Sequence, residues 1–200
     1  MSPSEPLELV VRDAAAWRRW LGANHSRSDG VWLVLSKQGT VRPTRLKYAE
    51  ALEEALAHGW IDGQLKPRDE RTYRQRFTPR RTRSRWSLRN TEIAERLIRE
   101  GRMHSAGHAE IERAKADGRW EAAYEGSARS QVPDDLASAL RAEPRAKELF
   151  EILTRVNRYA ILYRVQDAKR PETRSRRIAD FVAMLARGET PYPQKRALPH

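Results

Sequence analysis

The spacing of apolar residues changes after Trp86, and this change constrains the fold more than any other feature of the chain. Before it, apolar and polar residues alternate in short segments, and Val31–Leu35 forms an unbroken apolar run. Alternation is typical of strands with one covered face, and a short unbroken run is typical of a strand covered on both faces. After Trp86 the apolar residues recur every three or four positions, which is the period of amphipathic helices.

The two periods predict an α+β fold, with a small mixed sheet and helices in the N-terminal part and an all-helical C-terminal part. Four strands are expected, near residues 7–11, 31–35, 60–65 and 72–77. One helix carrying Trp17 and a second carrying Tyr48 alternate with these strands, and six helices are expected after Trp86. Glycines lie just past several of the predicted helices, where glycine commonly ends a helix, at positions 59, 101, 118 and 188.

A break in this pattern divides the chain into two predicted domains. Residues 125–133 contain Gly, Ser and Pro with a single large apolar residue, which is typical of a linker. We therefore expect an α+β domain over residues 1–124, with a basic hairpin and loop, and a helical domain over residues 134–190.

The net charge of +12 is confined to two short segments. Residues 66–89 contain ten basic and two acidic residues, and residues 164–177 contain six basic and two acidic residues. The remaining charges balance, so the excess is concentrated where it can attract an oppositely charged partner. The sequence therefore predicts an anionic partner, such as nucleic acid, a phosphorylated or carboxylated small molecule, or an acidic protein.

Composition excludes several classes of protein. The chain has no cysteine, so it has no disulfide framework, thiol nucleophile or thiolate metal site. Its N-terminus lacks the pattern of a signal peptide, and its longest apolar run is too short to span a bilayer. We expect a cytoplasmic protein without a transmembrane segment.

The strongest candidate site combines tryptophan with arginine on the predicted hairpin. If the third and fourth strands pair, Trp60 and Asp62 share one face, and the arginines of the fourth strand can lie beside them. Arginine binds phosphate or carboxylate in a bidentate manner, and tryptophan offers a stacking surface. The alternative is that Asp62 neutralises one arginine and the others form a solvated loop. The predicted ligand-binding residues are Trp60, Asp62, Arg74, Arg76, Arg80, Arg81, Arg85 and Trp86.

A second basic patch is predicted in the helical domain. Its side chains could contact phosphates, or they could form a solvated helix face that neutralises acidic residues elsewhere. No standard nucleic-acid-binding motif surrounds it. The patch consists of Arg164, Lys169, Arg170, Arg174 and Arg177.

The sequence contains no recognisable catalytic or metal-binding motif. His104 and His108 have a chelating spacing, but Ser105 stands where a zinc protease would have glutamate. There is no P-loop, no dinucleotide fingerprint and no nucleophile elbow. We expect no cofactor and no metal, and we favour a binding protein over an enzyme.

Several strings along the chain resemble a known bacterial family. They lie at residues 59–64, 76–87, 115–120 and 157–178, and they include Gly-Trp-Ile-Asp-Gly-Gln and Lys-Ala-Asp-Gly-Arg-Trp. In this order they resemble the YdeI/OmpD-associated family, also called bacteriocin-protection proteins. The resemblance implies a role in tolerance of bacteriocins or cationic peptides and an association with the envelope, and it implies no reaction or ligand.

Three functions remain open at this point. The first is a non-enzymatic module that binds an anionic ligand at the basic Trp/Arg site. The second is an interaction protein that engages an acidic protein or an anionic envelope lipid. The third is an enzyme that acts on an anionic substrate at the cluster of Asp62 and the arginines. A pocket holding Trp60 and the arginines would favour a small ligand, and a flat basic face would favour a macromolecule.

Overall fold

A computed structural model describes residues 7–125 and 131–196. The chain divides into two compact units between Tyr124 and Glu125. Most of the predicted linker at 125–133 lies outside the described residues, so the linker and the domain bounds stay predictions.

The N-terminal unit contains a four-stranded mixed sheet and four helices, as predicted. The strand order is β1-β2-β4-β3, with β1 parallel to β2 and the other neighbours antiparallel. The elements are β1 (Glu8–Leu9), α1 (Ala14–Asn24), β2 (Val31–Ser36), α2 (Tyr48–Ala57), β3 (Trp60–Pro67), β4 (Thr72–Pro79), α3 (Leu88–Arg99) and α4 (Ser105–Ala116).

Tryptophans dominate the core of this unit. Trp17 from α1 is fully buried, and its ring packs edge-on against Trp60 with centroids 6.2 Å apart. Phe77 of β4 joins them, 5.8 Å from Trp17. All six residues of β2 are buried, which confirms the prediction of a strand covered on both faces.

The turn between α2 and β3 depends on Gly59. Its φ of +75° lies in the left-handed region that glycine adopts readily. A Cβ at this position would also lie 2.9 Å from the Ala106 carbonyl oxygen of α4. Glycine therefore allows α2 to end, β3 to begin and α4 to pack closely at one point.

A buried carboxylate connects the helices of the same unit. Only 5% of the Glu54 side chain is exposed, and its carboxylate accepts hydrogen bonds from Arg18 Nε and Nη2 at 2.7 and 2.6 Å. Arg102 Nη2 donates a further hydrogen bond at 3.1 Å. These bonds tie α1 and the segment before α4 to α2.

Within its described residues 131–196 the C-terminal unit has four helices and no strand, as predicted. Asn157 is buried, and it exchanges hydrogen bonds with the backbone of Tyr192, which holds the following segment against the helices. Within the two described ranges of the chain, no helix is both long enough and apolar enough to cross a bilayer. The helices are α5 (Asp134–Ala142), α6 (Pro144–Glu151), α7 (Arg155–Gln166) and α8 (Pro171–Ala186).

Candidate anion-binding site

The structure separates the residues predicted to form one site. Trp60 is 1% exposed and lies in the core, where its Nε1 donates to the His25 carbonyl oxygen at 3.1 Å. Trp17 and Trp20 pack against its ring, so Trp60 offers no free stacking surface. Asp62 accepts a hydrogen bond from the Tyr48 hydroxyl at 2.9 Å.

The expectation that Asp62 lies beside Arg74 and Arg76 is wrong. Asp62 pairs directly with Phe77 of β4, and directly opposed residues of a sheet point to the same face. Arg74 and Arg76 alternate with Phe77, so their side chains leave the opposite face. The third strand also contains a register shift between Asp62 and Leu65, which a pattern of alternation does not reveal.

The strand arginines cover the outer face of the sheet. The Arg74 guanidinium lies 5.9 Å and Lys66 Nζ lies 4.7 Å from the Trp32 ring centroid. Arg74 Nη1 forms an ion pair with Glu8 at 3.2 Å, and Arg76 Nη2 donates to the Asp29 carbonyl oxygen at 3.3 Å. Long cationic side chains that cover apolar surface in this way stabilise a fold through their aliphatic stems. This placement favours a structural role for Arg74.

Arg80 and Trp86 do come together. The Arg80 guanidinium carbon lies 3.5 Å from the Trp86 ring centroid, and the two residues are 5% and 2% exposed. Local structure fixes this arrangement, because Arg80 N donates to the Gly59 carbonyl oxygen and Arg80 Nη1 donates to the Arg85 carbonyl oxygen at 3.1 Å. The loop after β4 thus folds back over its own first arginine.

Glu110 from the middle of α4 and Arg119 from the turn after α4 complete this group. Arg119 Nη1 donates to the Ser84 carbonyl oxygen at 2.7 Å, and its Nε is paired with Asp117 at 2.8 Å. Glu110 is paired with Arg113 through Oε1. Arg119 and Glu110 both interact electrostatically with Arg80. We refer to Arg80, Trp86, Glu110 and Arg119 as the Arg80 cluster.

The Arg80 cluster contains buried polar atoms that have no partner in the described part of the chain. They include one acceptor, Glu110 Oε2, and four nitrogen donors, Arg80 Nε, Arg80 Nη2, Trp86 Nε1 and Arg119 Nη2. Buried donors are almost always paired in folded proteins, and an unpaired one marks a bound water, an ion or a functional role. Donors therefore outnumber acceptors in this group, which suits an anion.

The electrostatics of Arg80 lead to the same conclusion. Burial lowers the pKa of Arg80 from 12.5 to about 10, and the charge of Glu110, with smaller contributions from Tyr124 and Asp62, only partly opposes this effect. A shift of this size corresponds to about 3 kcal/mol against the charged form. An anion beside the guanidinium would offset this cost, and no side chain among the described residues forms a hydrogen bond with its Nε or Nη2.

The remaining predicted site residues lie at the edge of this cluster or away from it. Arg85 lies over the Tyr124 ring, 5.1 Å from its centroid, and Arg81 is exposed. In the second basic patch, Arg174 neutralises Asp135 of α5 and donates to it through Nε and Nη2. Of the other residues in this patch, Arg164, Lys169 and Arg170 are exposed, and Arg177 is half-buried.

Sequence reasoning missed Arg119 and Glu110 because they lie 39 and 30 positions from Arg80. Arg119 belongs to the string at 115–120 that carried part of the family resemblance, and that string is the signal that could have found it.

Three histidines that are far apart in the sequence also meet in the structure. The rings of His25, His58 and His104 have centroids 4.9 to 5.8 Å apart, at the ends of α1 and α2 and the start of α4. Burial lowers the pKa of His58. Within residues 7–125 and 131–196, no group of three or more His, Cys, Asp or Glu residues is arranged to hold a metal ion.

Comparisons with known proteins identify families and no closer relative. A search of curated proteins and a search of solved structures each found no match. Residues 9–110, which contain the sheet, Arg80 and Trp86, match the family described as a domain of unknown function, DUF8412. Residues 129–188 match the family described as bacteriocin-protection, YdeI or OmpD-associated, so that resemblance is confirmed for the C-terminal part. The chain therefore belongs to the DUF8412 family through its N-terminal half, and it carries a YdeI/OmpD-associated region after it.

Proposed function

We propose that this protein is a non-enzymatic binding protein whose N-terminal unit holds a small phosphorylated or carboxylated ligand at the Arg80 cluster. The observation that carries the proposal is the Arg80 guanidinium, which is 5% exposed and has two nitrogens without a partner in the described chain. Phosphate and carboxylate oxygens match the planar donors of arginine, and such charge-assisted bonds are the strong ones.

Trp86 and Arg119 supply the rest of the recognition. The Trp86 ring holds one face of the guanidinium at 3.5 Å, which fixes its orientation before a ligand arrives. Fixed donors lose little conformational entropy on binding, so a single anion gains more from them than from mobile surface arginines. Arg119 Nη2 and Trp86 Nε1 add donors of different geometry.

The experiment compares two arginines that are adjacent in sequence and differ in environment. Arg80→Gln and Arg81→Gln lower the net charge equally, but Arg80 is buried and Arg81 is exposed. Thermal unfolding of the full chain is followed by tryptophan fluorescence with added inorganic phosphate. All six tryptophans lie at or before residue 120, so the signal reports on the N-terminal unit.

The two variants should respond differently. At about ten times the dissociation constant, phosphate should stabilise the wild-type unit by about 1.4 kcal/mol, which raises its melting temperature by about 5 °C. Arg81→Gln should keep this shift. Arg80→Gln should lose it, and without phosphate it should melt close to the wild type, because removing a buried charge with two unpaired nitrogens offsets the loss of its hydrogen bond to the Arg85 carbonyl oxygen and of its contact with Trp86.

Two results would contradict the proposal. If phosphate raises the melting temperature of Arg80→Gln as much as that of the wild type, the effect is a general salt effect. If Arg80→Gln melts far below the wild type without phosphate, Arg80 is a structural residue whose donors are satisfied by water.

Binding to a polyanion tests the alternative of a diffuse basic surface. If the affinity for DNA or heparin falls steeply as salt rises, the binding reflects counterion release. For duplex DNA, the slope of log affinity against log salt concentration should be about −0.9 per phosphate contacted. If both variants lose this affinity equally and neither responds to phosphate, nucleic acid or another polyanion is the better candidate.

A further inference from the structure

The C-terminal unit contains an open groove. It has a volume of about 370 Å³ and lies between α5, α6 and α7. Leu140 and Phe150 form its floor and are each 4% exposed, and Val132 lies at its edge. Small-molecule sites commonly have volumes of roughly 300–1,000 Å³ and an apolar lining with a few polar groups.

Three basic side chains surround this apolar floor. Arg158 lies over Phe150, with its guanidinium carbon 4.6 Å from the ring centroid. Arg141 donates a hydrogen bond to the Ser138 hydroxyl, and Lys147 has Glu151 at 3.8 Å, which is a long ion pair. The rim of the groove thus has three cations and one carboxylate, which gives it a net positive charge.

We propose that this groove binds a small amphipathic anion, namely a carboxylate that carries an aliphatic tail. The tail would lie over this apolar floor, and most of the affinity would come from removing the tail's own apolar surface from water, because Leu140 and Phe150 are already almost fully buried. The carboxylate would accept hydrogen bonds from Arg158, whose planar donors match it. Charge complementarity selects this occupant, because a neutral apolar molecule would leave the rim cations unpaired and a simple anion would leave the floor uncovered.

The groove is independent of the Arg80 cluster. Its lining residues belong to the C-terminal unit, whereas Arg80, Trp86 and Arg119 belong to the N-terminal unit. The ligand also differs, since the Arg80 cluster offers polar donors and the groove offers an apolar floor. Failure of one proposal leaves the other standing.

The test uses the full chain, with decanoate as the probe and isothermal titration calorimetry as the measurement. For a ligand of this size we expect a dissociation constant below about 1 mM. Decanol lacks the charge and acetate lacks the tail, so each should bind at least about tenfold more weakly. Tryptophan fluorescence should not change, because the C-terminal unit contains no tryptophan.

Two variants and one matched control locate the site. Arg158→Gln should weaken decanoate by about tenfold, since it removes a charged hydrogen-bond donor. Ala137→Phe should also weaken it, because Ala137 lines the groove and a large ring would fill it. Arg155→Gln makes the same charge change on the same helix at an exposed position outside the groove, and it should leave the affinity unchanged.

The proposal is overturned if decanol binds as well as decanoate, or if Arg155→Gln and Arg158→Gln lose affinity equally. It is also overturned if decanoate alters the tryptophan signal and Ala137→Phe binds normally, which would place the ligand in the N-terminal unit. Far-UV circular dichroism checks that each variant keeps its helices.

Discussion

Two helical glycines of the N-terminal unit should respond in opposite directions to the same substitution. Gly22 in α1 is exposed, and a Cβ there would meet nothing within 4 Å. Gly107 in α4 is buried, and its Cβ would lie 2.5 Å from the Ala57 carbonyl oxygen of α2 and would also contact Met103 Sδ. Both glycines have ordinary negative φ, so only the surroundings differ.

The structure gives the magnitude of each change. Alanine is favoured over glycine in a helix by up to about 1 kcal/mol, so Gly22→Ala should stabilise the unit by at most that amount. At Gly107 the same gain is opposed by overpacking, which costs about 1–3 kcal/mol. The Ala57 oxygen also accepts a hydrogen bond from His104 N at 3.0 Å, and losing it would cost about 1 kcal/mol more. Gly107→Ala should therefore destabilise the unit by about 1–3 kcal/mol in total.

Thermal unfolding followed by tryptophan fluorescence measures both variants against the wild type. With about 4 °C per kcal/mol for a unit of this size, Gly22→Ala should melt slightly higher and Gly107→Ala clearly lower. If Gly107→Ala melts at or above the wild type, α4 and α2 do not pack as closely as the structure has them. If Gly22→Ala melts lower, the helix-propensity argument fails at that position.

Three further predictions concern buried polar groups. Glu54→Gln should destabilise the N-terminal unit by about 2 kcal/mol. Burial raises the pKa of Glu54, but Arg18 and its other arginine partner lower it by more, so the stability from the ionised carboxylate should be present above pH 4.5 and lost as pH falls further. The free energies of unfolding in denaturant at pH 7 and pH 3 should therefore differ less in the variant than in the wild type. Because burial lowers the pKa of His58 below 6.5, the free energy of unfolding should fall as pH drops below 6.5. In urea unfolding, His58→Gln should reduce this pH dependence, whereas His108→Gln, at an exposed position, should not. Asn157→Ala should destabilise the C-terminal unit by about 2–3 kcal/mol by leaving the backbone of the following segment unpaired, as measured by far-UV circular dichroism in urea.

Local chemistry explains why the elements of this fold could be predicted from the sequence. The expected helix ends at Gly101, Gly118 and Gly188 all occur, and their φ angles of +64°, +74° and +81° are ones that glycine adopts readily. The run from Val31 was also interpreted correctly, because only a strand covered on both faces requires unbroken apolar character. These features depend on residues a few positions apart.

The candidate site could be predicted only in part, because it depends on contacts between distant residues. A register shift within β3 and the pairing of Asp62 with Phe77 decide which face Asp62 occupies, and neither is visible in alternation. Arg119 reaches the loop after β4 because Ser87 and Tyr124 pair as neighbouring strands do. Such long-range pairings leave no periodic signal in a single sequence.

The basic segment at 66–89 shows how charge that is concentrated in sequence can be divided in space. Arg68 and Arg74 are both paired with Glu8 on the outer face of the sheet. Alternation along β4 thus places part of the charge where the protein itself neutralises it. Arg81 in the loop after β4 is exposed, so its charge stays in solvent and contributes little to stability.

Arg80 differs from these residues because it is only 5% exposed and two of its nitrogens have no hydrogen-bond partner among the described residues. The comparison with Arg174 in the same chain is informative, since Arg174 holds Asp135 through two nitrogens and donates to the Val165 carbonyl oxygen with the third. The half-buried Arg174 is thus fully paired, whereas Arg80, which is almost fully buried, is only partly paired. Departures from the usual pairing of buried polar groups are expected mainly at functional or strained sites. The unpaired nitrogens of Arg80, more than the net charge of +12, are therefore the feature that an anionic ligand would explain.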